Sequence, residues 1–113
     1  MRIINRKEFL SMPKGTVYSH YVPQVADGLM VKYETLTNDW VYQDLLFNVA
    51  GETSEEASEK LTDAEERGAS FILDLHCGSR DGMYDDNQLF MVYEKEDVKR
   101  LIKKLIEAAL EVL

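Results

Sequence analysis

The chain is poor in cysteine, proline and histidine, with one, two and two of them in 113 residues. A single thiol cannot close an internal disulfide, and two isolated histidines supply no metal-ligand spacing, so neither a bridged scaffold, a metal nor a cofactor is expected. A domain of this length hides roughly two-thirds of the surface of its unfolded chain, enough to fold without either. Long apolar runs are also missing. Nothing approaches the roughly 20 residues of a membrane span, and MRIINRKEFL has no apolar stretch behind its basic residues, which predicts a cytoplasmic protein with no membrane partner. Positive charge is scarce: 13 Lys and Arg face 21 Asp and Glu, for a net charge of −8. That balance excludes the concentrated basic patch required for direct binding to nucleic acid. What remains, 45% hydrophobic and 30% charged residues, describes one domain over residues 1–113.

Asn5 with Glu8 three residues on forms a capping pair, and Phe9, Leu10 and Met12 give a short apolar helix that stops at Pro13. TVYSHYV, residues 16–22, is β-branched and aromatic, as a strand requires, and Pro23 ends it. Asp27-Gly28 signals a turn before a strand over 29–35, and a third strand follows from Trp40 to Val49. Thr53 with Glu56, and Gly68 as a left-handed cap, delimit a helix over 54–67. SFILDLH, residues 70–76, and QLFMVYE, residues 88–94, read as two further strands. Val98, Leu101, Ile102, Leu105, Ile106, Ala109, Leu110 and Leu113 form one apolar face of a final helix, expected to lie across the sheet or to pair in part with another subunit. The order α-βββ-α-ββ-α predicts an α+β fold, a largely antiparallel five-stranded sheet with helices on one face. The apolar end of the chain suits a homo-oligomer.

The segment Cys77 to Asn87 is longer than a hairpin loop. Gly78 and Gly82 permit close backbone approach, Ser79 can donate, and Arg80 can grip a phosphate or carboxylate, which makes an anion-binding loop. Asp81, Asp85 and Asp86 could hold a hard cation, but they lack the spacing of a calcium loop. An ordinary polar loop is the third reading. His76 beside Cys77 invites a small hydrolase using His76 with Asp74 or Cys77; adjacent strand residues point to opposite faces, however, and no nucleophile motif frames them.

Alternation along the strands sorts the remaining candidates. Tyr18 and His20, Lys32 and Glu34, Trp40, Tyr42 and Asp44, and Asp74 and His76 fall on one face, opposite a more apolar set. The polar and aromatic set is expected to be the open face. There Trp40 or Tyr42 would stack on a planar, nucleotide-like ligand, while Lys32 and Arg80 would neutralise its charge. His20, Asp74, His76 and Ser79 would supply hydrogen bonds. A protein interface or a plain solvated face fits the same residues. Seven acids between Glu52 and Glu66, against Lys60 alone, support an alternative. Glu55, Glu56, Glu59, Asp63 and Glu66 would occupy a basic site on another protein, although acidic helix faces are often simply solvated.

The opening RIINRKEFLSMPKGTVYSHY, with Glu8-Phe9-Leu10 before Pro13-Lys14-Gly15-Thr16, resembles the starts of small uncharacterised bacteriophage proteins. The resemblance covers about the first fifth of the chain and carries over no site residue. It implies a phage source, the host cytoplasm, and a counter-defence role by sequestering a nucleotide signal or occupying a host defence protein. Together these readings predict a non-enzymatic binding protein for a small anionic or nucleotide-like ligand, or else an acidic inhibitor of a basic host protein.

Overall fold

The structure, a computed structural model, describes residues 1–113 except Ala50, Cys77, Met83, Tyr84 and Leu113, and of Val112 the backbone only. The described residues form an α+β fold: β1 (Arg2–Asn5), α1 (Arg6–Leu10), β2 (Val17–Val22), β3 (Val25–Thr35), β4 (Trp40–Asp44), α2 (Ser54–Arg67), β5 (Ser79–Asp81), β6 (Leu89–Tyr93) and α3 (Lys95–Val112). The six strands make one antiparallel sheet in the order β1-β6-β2-β3-β4-β5. The strand count and order differ from the expected five. β1, a four-residue edge strand, pairs with β6 across almost the whole chain. Residues 70–76 are not a strand; they meet the rest through a bridge from Leu73 to Val49 and a hydrogen bond from Gln43 Nε2 to the Asp74 carbonyl at 3.5 Å, while Ser79–Asp81 takes the edge of β4 instead.

The β2–β3 turn falls at Pro23-Gln24 rather than at Asp27-Gly28. Asp27-Gly28 lies inside β3, where the register with β2 slips by one residue between Tyr18 and His20. Gly28 absorbs that bulge with a φ of 75° that a side chain would strain, and its carbonyl accepts from Ser19 Oγ.

One short helix closes the core. Asn5 Oδ1 accepts from the Glu8 amide at 2.9 Å, the cap expected from sequence. The resulting turn drives Phe9 onto the sheet, where its ring stacks on Phe90 at 4.1 Å and meets Tyr18 and Trp40 edge-on at 4.6 and 4.8 Å. Ile4, Met30 and Val92 complete this core. Tyr18, Trp40 and Lys32, all expected on the open face, therefore lie on the face that α1 covers, and all three are buried. The physical reason is area. Aromatic rings offer the largest apolar burial per residue, so the face richest in them is the one worth covering.

The other two helices cover little. α2 has its expected caps, with Thr53 Oγ1 accepting from Glu56 at 3.2 Å and Gly68 left-handed at φ 68°, yet it buries no residue. α3 does not lie across the sheet. It is anchored at its start, where Asp97, Val98 and Leu101 are half-buried, and beyond that Ile102, Leu105, Ile106 and Leu110 are 52%, 66%, 54% and 68% exposed. Among the described residues no helix is long and apolar enough to cross a membrane.

Candidate functional site

Beneath α1 the covered face is not wholly apolar. Arg6 opens the helix and is only 4% exposed. Residues three apart in a helix share a face, so the packing that buries Phe9 draws Arg6 inward too. Its guanidinium carbon lies 4.9 Å from the centre of the Trp40 ring, a cation–π contact. Trp40 is in turn fixed by donating Nε1–H to Tyr18 Oη at 2.8 Å. Arg6 Nη2 donates to the Asn38 carbonyl, while Arg6 Nη1 is buried with no acceptor among the described residues. Arg6, Lys7, Leu10, Asn38 and Asp86 line a cavity of about 530 Å³. The lining thus carries two cations, one acid and one amide.

A second polar group borders the same core. His20 Nε2 lies 3.5 Å from Asp81 Oδ2, and Gln88 Nε2 meets His20 Nδ1. An amide nitrogen can only donate, so Nδ1 accepts and Nε2 carries the proton towards Asp81. With both nitrogens engaged, His20 has no lone pair to offer a substrate as a base. Burial holds its pKa below the ordinary value, with Arg6 acting in the same direction and Asp81 and Asp27 opposing. Burial also pushes the Tyr18 and Tyr42 hydroxyls up, so both stay protonated at neutral pH.

Comparison with protein families, curated proteins and solved structures finds no match. Function must be read from this geometry.

Of the residues grouped from sequence, His20, Lys32, Trp40 and Tyr42 do share one face, but not as a ligand platform. Trp40 stacks on Arg6 rather than on a base. Lys32 is 1% exposed and donates to Met12 O at 2.9 Å and to Thr35 Oγ1. Burial lowers its pKa, and its role is to tie the end of α1 to β3. Tyr42 is half-buried and packs on the core. Asp74 and His76 stand apart in the irregular 70–76 segment, where Asp74 Oδ1 accepts from the His76 amide at 2.9 Å; that bond shapes a turn and does not orient the imidazole. Cys77 lies outside the described residues. Ser79 and Arg80 are on β5, where alternation places Arg80 on the face opposite Asp81, and Arg80 Nε pairs with buried Asp39. Asp81 likewise turns inward to His20, away from exposed Asp85 and Asp86. Glu55, Glu56, Glu59, Asp63 and Glu66 are all exposed on α2. Arg6 and Lys7 were missed by sequence reasoning. The signal that finds Arg6 is its i, i+3 relation to Phe9, which places a cation beside the principal core ring.

Proposed function

We propose that the protein is a non-enzymatic binding protein that holds a small anion, of the nucleotide or phosphate kind, in the cavity between α1 and Asn38. The observation that carries this reading is Arg6. A buried guanidinium nitrogen without an acceptor costs about 1 to 3 kcal/mol, and the oxygen of an anion that draws the Arg6 side chain towards the cavity recovers it. Trp40 holds the guanidinium plane, so little side-chain entropy remains to be lost on binding. Lys7 adds a second positive charge, and Asp86 accepts from a hydroxyl or amine on the ligand, which favours an anion that also carries donors. The binding role expected from sequence is kept, but its residues become Arg6, Lys7, Asn38 and Asp86.

Isothermal titration with pyrophosphate and with a nucleoside diphosphate tests this. Arg6→Met keeps the stem and the ring contact while removing the charge. It is expected to weaken binding by about 1.5 to 3 kcal/mol, roughly 10- to 150-fold. No binding to the parent protein, or equal binding by Arg6→Met, overturns the reading.

The acidic inhibitor is a second reading, favoured by the exposure of the α2 acids. It expects capture of a basic partner to weaken as salt rises. Charge reversal at Glu55, Glu56 and Glu59 is expected to slow that association sharply.

A further inference from the structure

One face of the far half of α3 is apolar and stands exposed among the described residues. Ile102, Leu105, Ile106 and Leu110 are each more than half exposed and recur at i, i+3, i+4 and i+8, so they form one stripe. At roughly 100 Å² for each half-exposed large side chain, the stripe reaches about 400 Å², the size at which exposed apolar patches mark interaction sites. Its charges are ordered along the axis. After Glu96 and Asp97, which pair with Lys99 and Arg100 in the first turns, the basic residues Lys99, Arg100, Lys103 and Lys104 precede the acids Glu107 and Glu111, and Lys104 Nζ lies 3.7 Å from Glu107 Oε2.

We infer that α3 pairs antiparallel with α3 of a second copy of this chain, about a two-fold axis near Ile106. Two properties select a second copy in this orientation. Ile106 lies midway between Ile102 and Leu110, so reversing the helix about it lays the two ends of the stripe on each other, which an isologous contact requires. Reversal also sets the stretch of one helix that carries Lys99, Arg100, Lys103 and Lys104 beside Glu107 and Glu111 of the other. Lys103 and Glu107, one turn apart on the same flank, then meet Glu107 and Lys103 of the second copy, because antiparallel helices bring like flanks together. A parallel pair would set like charge beside like. The helix dipoles favour the antiparallel arrangement as well.

Native mass spectrometry and light scattering of the full chain at about 1 to 50 µM, on the order of the dissociation constant of a moderate complex, test the pairing. A dimer is expected. Leu105→Lys is expected to give a monomer that keeps the Trp40 near-ultraviolet signal, since Leu105 is 66% exposed and remote from the core. Lys103→Glu and Glu107→Lys are each expected to weaken the dimer several-fold, and the double variant to restore it. A monomeric parent, including one that binds anionic vesicles through α3, overturns the inference. So does a dimer indifferent to Leu105→Lys, or one that both single charge reversals leave unchanged.

Discussion

Lys32 shows how one buried cation can hold two elements together. Its ammonium donates to the Met12 carbonyl and to Thr35 Oγ1, and Thr35 Oγ1 donates in turn to the Leu10 carbonyl at 3.0 Å. The chain segment leaving α1 is thereby fastened to β3. Lys32→Met preserves the stem but strands those acceptors, and it is expected to lower stability by about 1 to 3 kcal/mol, read as a shift in urea midpoint at constant slope. An unchanged midpoint would show that the α1 exit is held by packing alone. His20 gives a pH dependence. Its folded pKa lies below the unfolded value near 6.5, so on acidification the unfolded chain takes up the proton first. The stability it contributes is complete above about pH 6.5 and is lost as pH falls through the depressed folded pKa. In His20→Gln, which removes the titrating group, the fall in Tm between about pH 7 and 5 should be shallower than in the parent. Parallel pH profiles would exclude His20 as its source. These residues also mark the limit of what was legible. The alternation Tyr18-His20 against Val17-Ser19, and Trp40 with Tyr42, assigns correct neighbours, because period two is a property of the strand itself. Which face is covered depends on where Phe9 lands, and that is a tertiary fact absent from the strand pattern.

At the scale of elements, α2 was fully legible and α3 half so. Caps are local chemistry, so Thr53 and Gly68 delimit α2 without reference to the rest of the fold. The same independence makes α2 fragile. Gly68→Ala forces a side chain into the left-handed region at a cost of roughly 1 kcal/mol. With no buried residue to compensate, far-ultraviolet helicity should fall while the thermal midpoint of the Trp40 signal moves by no more than a few degrees. A matching fall in both would mean that α2 folds with the core. Residues 70–76 failed as a strand for a different reason. Phe71, Leu73 and Leu75 alternate suitably, but a strand needs a partner edge, and the free edge of β4 is taken by Ser79–Asp81. All three side chains are consequently exposed. Arg6 went unread because a charged residue at a helix start normally faces water.

For the whole molecule, the decisive feature is that the largest rings of the sheet and of α1 meet on one side, while α2 and most of α3 cover neither face. The interior is small and mixed, with Arg6, Lys32 and Asp39 buried beside Phe9, Trp40 and Phe90. Such an interior is ordered by polar contacts as much as by area, and among the described residues Arg6 Nη1, Asp39 Oδ1 and Gln88 Oε1 are the buried side-chain atoms left without a partner. The sheet order adds a constraint of another kind. β6 lies between β1 and β2, although almost 70 residues separate it from β2 in the chain. During translation, β1, α1 and β2 leave the ribosome well before the strand that must slot between them. Phe9 then has no Phe90 to stack on until nearly the whole chain has emerged. Until then the edges of β1 and β2 that β6 fills are unpaired, and an unpaired strand edge is where a neighbouring chain adds.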